Sequence, residues 1–462
     1  MKNSKLKTST LLLVLLCISS INYTCDSFLE VEIPDSQLIG ATVFEDVSTA
    51  EAAVENIYAH MRDKGLLTGT HFGLSNNLAL YADELLYFGD SSLPAFYFYN
   101  NTLQPTNSLI TDYWNATYHQ IYAANAVLEG LSYSPIPAED SNRLEGEAYF
   151  IRATLHFYLV NLFGSIPYVT STDHRINSTI EKNTVSEVYG KVIADLETAI
   201  ALLPENYTSN GRTRPNKYTA MALMARVHLY KSSWIEAENW SNAVLNSAFY
   251  PDELDIDKIF KKESTETLWQ LPPAIEGYNT HEATTFTILA SPPQMTALSQ
   301  SLVAAFSAED LRLNTWVGAI TDGTNTWYYP NKYKQLGIES VSAEYSIIFR
   351  KAEIYLTRAE ARAHNGDLSG AKEDLNKIRM RSGLTEINTQ SQQEILDSIL
   401  MERKREFFTE LGHRFFDLKR TGKLDEILAP FKPGWNTDDQ LFPLPQTELS
   451  ANPNLLPQNP GY

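Results

Sequence analysis

Residues 351–381 read KAEIYLTRAEARAHNGDLSGAKEDLNKIRMR, and this stretch decides the fold class. Lys351–His364 and Leu368–Arg381 both have apolar residues at helical spacing, and the sequence Asn365-Gly366-Asp367 between them is typical of a turn. Alanines recur where the two helices would approach closely, at Ala359, Ala361, Ala363 and Ala371. The stretch therefore predicts a helix, a tight turn and a second helix packed against the first.

A second stretch repeats this arrangement. Lys217–Lys231 and Trp234–Leu245 have helical spacing and are joined by Ser232-Ser233. Each unit is about as long as the 34 residues of a tetratricopeptide repeat, although any helical hairpin would show the same pattern. Stacked helix pairs usually form scaffolds, which favours binding over catalysis.

The rest of the chain is also predicted to be mostly α-helical. Further stretches with helical spacing are Thr49–Arg62, Asp112–Leu131, Asn142–Phe163, Val185–Leu203 and Ser391–Thr409. Long segments without a helical pattern lie between them, and we expect such segments to carry function. They are Tyr87–Gln104, Leu268–Pro293, Leu313–Tyr333 and the proline-rich Lys432–Tyr462, which is expected to lie extended and without helix.

The composition excludes several classes of ligand. The chain has 462 residues, with 56 acidic against 37 basic side chains and a net charge of −19. Nucleic-acid binding needs basic surface, so this balance argues against it. The same charge disfavours anionic polysaccharides, because the field of the whole protein opposes their approach.

The N-terminus is predicted to be an export signal covering residues 1–24. Lys2, Lys5 and Lys7 precede the apolar run Leu11–Ile18, which is too short to span a bilayer. Removing the signal takes away three lysines and no acid, which makes the net charge −22. Cys25 is then the only cysteine left, so it has no partner for a disulfide within the chain. We predict that Cys25 carries a lipid anchor and that residues 25–44 form an extended tether; a secreted protein without lipid is the alternative.

Four passages resemble the SusD/RagB family, which consists of outer-membrane nutrient-binding lipoproteins of Bacteroidota. They are Arg143–Arg152 with Leu159–Pro167, Arg350–Glu360 with Leu375–Arg379, Glu402–Phe407 with Gly412–Arg420, and Leu441–Pro445 with Asn452–Asn454 and Gln458–Tyr462. The resemblance implies a tetratricopeptide-like scaffold with long irregular ligand-binding loops. It also implies one domain over residues 45–462, with an N-terminal half of about residues 45–210 and a C-terminal half of about 211–462.

The resemblance further implies a function without catalysis. We expect a lipid-anchored protein on the cell surface, at the outer membrane, that captures a glycan and passes it to a SusC-like TonB-dependent transporter, for which it acts as the lid. The net charge favours a neutral glycan such as a β-glucan, an α-glucan or a fructan. One alternative is the peptide-binding lid of a RagA-like peptide importer, and another is a glycan hydrolase.

The charged residues of the motifs allow two interpretations. Glu402, Glu406 and Glu410 are one helical turn apart, with arginines close in sequence. They could form a catalytic carboxylate array, or a structural network that joins this helix to Arg350–Glu360 and to the C-terminal tail. We favour the network, because aromatic residues of core character alternate with these charges. The motif residues expected to be structural are Arg152, Arg350, Glu360, Glu406, Arg414 and Asp417.

Ligand contact is expected from aromatic rings that cover a sugar face and from amides and carboxylates that bind its hydroxyls. The first group of candidates is Asp83, Tyr87, Phe88, Phe96, Tyr97, Phe98, Tyr99, Asn100 and Asn101. The second group is Tyr278, Asn279, His281, Trp316 and Trp327. The alternative for residues 96–99 is a strand with one buried face. No cofactor is expected, because zinc and phosphate-binding motifs are absent from the sequence, although clustered carboxylates leave a structural Ca²⁺ open.

Overall fold

The computed structural model describes residues 42–462, of which residues 44–462 form one unit. The predicted signal peptide, Cys25 and most of the predicted tether lie outside the described residues. The last three tether residues, Thr42–Phe44, form a 3-10 turn.

Helices dominate the described part of the chain, as the sequence predicts. They are α1 Val47–Asp63, α2 Leu74–Tyr81, α3 Pro94–Tyr99, α4 Ser108–Leu131, α5 Ala138–Phe163, α6 His174–Asn177, α7 Val185–Leu202, α8 Lys217–Tyr230, α9 Trp234–Leu245, α10 His281–Phe286, α11 Gln300–Val303, α12 Leu311–Thr315, α13 Lys351–Asn365, α14 Leu368–Arg381, α15 Gln392–Glu406, α16 His413–Arg420, α17 Leu424–Leu428 and α18 Gln446–Ala451. Further 3-10 turns are Asn210–Arg212, Thr437–Gln440 and Pro453–Leu455.

Both predicted helix pairs are present. In the pair α13–α14, Gly366 ends the first helix with a φ of 89°, and the Asp367 carboxylate caps the second by accepting from the N–H of Gly370 at 2.9 Å. The alanines allow close packing, since Ala359, Ala363 and Ala371 are fully buried in one apolar cluster. The pair α8–α9 lies beside it, because α9 packs on α13. This arrangement agrees with tetratricopeptide-like stacking.

Within residues 42–462, six short strands form three antiparallel pairs. Leu85–Tyr87 (β1) pairs with Thr296–Leu298 (β3), Thr267–Leu271 (β2) with Ser346–Arg350 (β6), and Val317–Thr321 (β4) with Thr326–Pro330 (β5). Strand β5 also lies against β3, so β1 and the β4–β5 hairpin both border β3.

The segments predicted to lack helix contain more regular structure than expected. Helix α3 lies within Tyr87–Gln104, and α10 lies within Leu268–Pro293. The prediction that Lys432–Tyr462 has no helix is wrong, because α18 forms there. Pro445 directly precedes α18, a position where its missing N–H interrupts no helical hydrogen bond.

The charged motif residues form a buried network that supports the structural interpretation. The carboxylate of Glu406 pairs with Arg312, Arg350 and Arg381, and it is fully buried. Burial alone would raise the pKa of Glu406, but the three guanidinium groups hold it well below its usual range. A substrate cannot reach this group, so the interpretation as a catalytic array is wrong.

The other motif residues also make paired contacts. Arg420 joins Glu360 on α13 to Asp417 on its own helix, both at 2.8 Å. Arg152 binds the Asp195 carboxylate through two nitrogens at 2.7 Å, which ties α5 to α7. These pairs hold the helices in register around the core.

The helices of residues 42–462 offer no candidate for a transmembrane segment, since each is too short or too polar to span a bilayer.

Candidate functional site

Helix α3 divides its aromatic residues between the core and the surface. Phe98 is 0% exposed and contacts the rings of Tyr81, Tyr113 and Phe442 at centroid distances of 5.6–6.2 Å. A ligand cannot reach Phe98, so its prediction as a ligand contact is wrong. The alternative of a strand over residues 96–99 is also wrong, because these residues are helical.

Four of the remaining aromatic residues of this region form a cluster of rings that reaches the solvent, and the exposed Phe88 follows Tyr87 in sequence. The Tyr87 ring lies 6.2 Å from Phe96 and 6.3 Å from Tyr99, and Phe96 meets Tyr97 edge to face at 5.8 Å. Tyr97 is 37% exposed and Phe88 is 40% exposed. We call Tyr87, Phe88, Phe96, Tyr97 and Tyr99 the aromatic surface. Its rings offer apolar faces to a ligand in solution.

A tight turn holds Tyr87 in place. Its hydroxyl donates to the carbonyl of Asp90 at 2.9 Å, and burial raises the pKa of the Tyr87 phenol. A Cβ at Gly89 would lie 2.5 Å from that hydroxyl, so a larger residue here would displace the Tyr87 ring. The exposed Asp90 carboxylate accepts from the N–H of Ser92 at 2.7 Å, which lowers the pKa of Asp90 and keeps it charged. Asp90 can therefore accept hydrogen bonds at the edge of the aromatic surface.

The C-terminal tail contacts the aromatic surface through Lys432. The ammonium of Lys432 lies 4.2 Å from the centre of the Tyr99 ring and donates to the Tyr99 carbonyl at 2.9 Å. Asn101 is buried with a φ of 52°, and its amide donates to the carbonyl of Tyr81 at 3.0 Å. The prediction of Asn101 as a ligand contact is wrong, because its amide closes the loop. Asn100, half-buried, donates to the carbonyl of Phe96 at 2.9 Å and ends α3.

A cavity of about 250 Å³ opens beside the aromatic surface. Thr284, Thr285 and Gln294 supply hydroxyl and amide groups to its wall, and none of the described residues that line it is charged. The cavity adjoins β1, because its lining residue Met295 accepts from the N–H of Phe88 at 2.8 Å. This lining was not among the sequence-based candidates, since isolated threonines give no signal of their own.

The β4–β5 hairpin brings a second aromatic group to β3. Trp327 and the two following tyrosines are half-buried on β5. Gly318 pairs with Tyr329, and a Cβ at Gly318 would lie 2.3 Å from the Tyr329 ring. The glycine thus leaves room for this ring to lie over the hairpin. Because Trp327 is only half-buried, it remains a candidate for ligand contact.

The candidates Tyr278, Asn279 and His281 lie at or just before the start of α10, and they differ in accessibility. The Asn279 side chain accepts from the N–H groups of Ala343 and Glu344 at 2.8 and 3.0 Å, so its amide pins a neighbouring loop. His281 is exposed and lies 3.7 Å from the Asp63 carboxylate, and Tyr278 is also exposed. Tyr278 and His281 are accessible, whereas Asn279 is occupied by backbone contacts.

Two further candidates belong to the interior. Trp316 is 1% exposed, and its indole donates to the carbonyl of Ile256 at 3.2 Å. Asp83 binds Lys404 and Arg414, each at 2.8 Å. Burial would raise the pKa of Asp83, but these two cations hold it well below its usual range. The predictions of Trp316 and Asp83 as ligand contacts are therefore wrong.

Within residues 42–462, no group of three or more His, Cys, Asp or Glu side chains is placed to hold a metal ion.

Two family models match the chain. Residues 27–229 match a SusD-like family described as "starch-binding associating with outer membrane", and residues 311–462 match the SusD family.

Individual relatives and solved structures agree with these matches. SusD-like protein P2 of Formosa agariphila is 27% identical over the full length of both chains. A laminarin-binding SusD-like protein has a TM-score of 0.77 at 24% identity, over 90% of this chain and 99% of that one. The surface glycan-binding protein A of Bacteroides thetaiotaomicron, solved with laminarihexaose, has a TM-score of 0.75 at 22% identity, over 89% of this chain and 99% of that one. The two solved structures are named for binding, and the chain belongs to the SusD/RagB family.

Proposed function

We propose that this protein binds a neutral oligosaccharide or polysaccharide on its aromatic surface. The observation that carries the proposal is the solvent-exposed cluster of rings beside an uncharged cavity of about 250 Å³. Rings such as Tyr97 would cover the apolar face of a sugar, and the hydroxyl and amide groups of the cavity would bind its hydroxyls. Two structurally similar proteins are named for laminarin or were solved with laminarihexaose, which favours a neutral glucan as the first ligand to test.

The charge of the region supports a neutral ligand. Asp90 is the charged group at the edge of the aromatic surface, and the ammonium of Lys432 is covered by Tyr99. The net charge of −19 would also oppose a polyanion. An anionic polysaccharide would therefore meet the negative charge of Asp90 at this site.

We further propose that the bound glycan passes to a SusC-like TonB-dependent transporter. In this proposal the protein is anchored at the cell surface through a lipid on Cys25 and caps the transporter as a lid, without making or breaking a bond. Family membership and the predicted N-terminal cysteine support these steps. Co-purification of the protein with a transporter from its native membrane would test them.

Titration calorimetry against four polysaccharides tests the ligand class. We expect binding to at least one of laminarin, starch and levan, and none to alginate, which is anionic. The variant Tyr97→Ala should weaken that binding. Binding to alginate alone would overturn the proposal, as would binding of peptides without any glycan. Turnover of a glycan by the pure protein would indicate a hydrolase instead.

A further inference from the structure

A second cavity, which shares no described lining residue with the aromatic surface or with the cavity beside it, has a different chemistry. It measures about 580 Å³ and lies between α4, the segment that follows α5, and α18. This volume falls in the usual range for ligand sites of proteins, about 300–1,000 Å³.

One wall of the cavity is an aromatic stripe on α4. Trp114, Tyr118 and Tyr122 are spaced by four residues, which places them on one face of the helix. The rings of Trp114 and Tyr118 are 4.8 Å apart, and Tyr122 is 48% exposed. The Tyr118 hydroxyl donates to the carbonyl of Pro167 at 2.8 Å, which fixes its ring in the wall. The stripe therefore offers preformed aromatic faces.

The opposite wall carries a carboxylate without a partner. Glu448 on α18 is half-buried, and no side chain or backbone group of residues 42–462 donates a hydrogen bond to its carboxylate or pairs with it. Burial raises the pKa of Glu448. Burial also raises the pKa of Tyr118, and the negative charge of Glu448 raises it further. Among the described residues, no lysine or arginine lines the cavity, and the basic side chain in its lining is the exposed His174.

We propose that this cavity binds a basic side chain, a lysine or an arginine, presented by a partner polypeptide. A cation on an apolar stem matches both walls at once. Its charged end pairs with the half-buried Glu448 carboxylate, which has no protein partner among residues 42–462, and its stem and charge lie over Tyr118 and Tyr122. A neutral ligand would leave the carboxylate unpaired. The proposal does not depend on the glycan site.

Ligand-observed NMR titration of the purified protein tests the proposal. The three ligands are Nα-acetyl-lysine amide, its neutral isostere Nα-acetyl-norleucine amide, and tetramethylammonium. We expect the lysine compound to bind more tightly than the other two. Glu448→Gln should weaken its binding about tenfold, and Tyr122→Ala about threefold, as expected for an ion pair with a half-buried carboxylate and for an exposed cation–π contact.

The matched control is Glu197→Gln, which removes an exposed carboxylate on α7 outside the cavity and should leave binding unchanged. Tighter binding of norleucine amide would overturn the proposal, as would equal binding by Glu448→Gln or no saturable binding of the lysine compound. Preference for tetramethylammonium would assign the site to a quaternary ammonium headgroup and overturn the polypeptide partner. Thermal unfolding of each variant separates loss of binding from loss of fold.

Discussion

The Lys432 ammonium lies 4.2 Å from the centre of the Tyr99 ring and donates to the carbonyl of the same residue at 2.9 Å. A single side chain of the C-terminal tail therefore fixes both the ring and the backbone at the end of α3. The carbonyl of Leu80 accepts from the same ammonium, so α2 is tied to this point as well. The tail thus positions the aromatic surface without facing a ligand.

Replacing Lys432 tests this positioning role. Lys432→Met keeps an apolar stem but leaves two carbonyls without their donor, which should destabilise the protein by about 1–3 kcal/mol. Glycan affinity should also fall about threefold, since Tyr99 loses a cation–π contact that holds its ring. Urea unfolding and calorimetry measure the two effects. Lys258→Met, at an exposed lysine, is the control and should change neither. A destabilised variant with full affinity would show that Lys432 serves the fold alone.

Neighbouring residues of α3 should separate binding from stability. Tyr97→Ala removes an exposed ring, so it should cost about 1 kcal/mol of glycan binding, roughly fivefold in affinity, with little loss of stability. Phe98→Ala empties a core position and should cost about 3–5 kcal/mol of unfolding free energy. Calorimetry and chemical unfolding on both variants measure the contrast. The assignment of the two faces of α3 fails if Phe98→Ala is as stable as the native protein.

The helix pairs are predictable from sequence because their signals are local. The alanines at positions 359, 363 and 371 mark the close-packed face, and Gly366 with Asp367 marks the turn between α13 and α14. Each signal acts within a few residues of its position. The predicted ends of these helices therefore agree with the structure to within about four residues. Capping or fraying sets the exact boundary.

The candidate site is less predictable because distant residues decide which side chains reach the surface. Six residues in α3 are too few to show a helical period, and Phe98 faces inward because Phe442, far along the chain, packs on it. Lys432 contacts Tyr99 across 333 positions of sequence, so no local pattern reveals it. Trp316 is buried because Phe260 and Ile256, from a distant part of the sequence, pack around it.

The buried network around Glu406 should be sensitive to loss of one charge. Glu406→Gln leaves Arg312, Arg350 and Arg381 without their shared carboxylate and should destabilise the protein by about 3–5 kcal/mol. Urea unfolding measures the change. Glu386→Gln, at an exposed position, should alter stability by less than about 0.5 kcal/mol. Equal stability of the two variants would mean that the network contributes little.

Glu84 should give the protein a specific pH dependence of stability. Burial, and then the neighbouring charge of Asp83, raise the pKa of Glu84 from 4.5 to about 8, while Arg414 and Lys332 partly oppose this shift. Between pH 4.5 and about pH 8 the folded protein keeps the Glu84 proton that the unfolded chain releases, so the free energy of unfolding falls as the pH rises. The largest loss from this group is about 4–5 kcal/mol.

Glu84→Gln removes that titration while keeping a neutral side chain. Unfolding free energies measured at about pH 5 and about pH 8 should therefore differ less in the variant than in the native protein. The variant should be the more stable of the two near pH 8, where the native carboxyl begins to ionise in the interior. Glu386→Gln, an exposed control, should retain the native difference. Parallel pH profiles for native protein and Glu84→Gln would show that Glu84 does not hold its proton in the folded state.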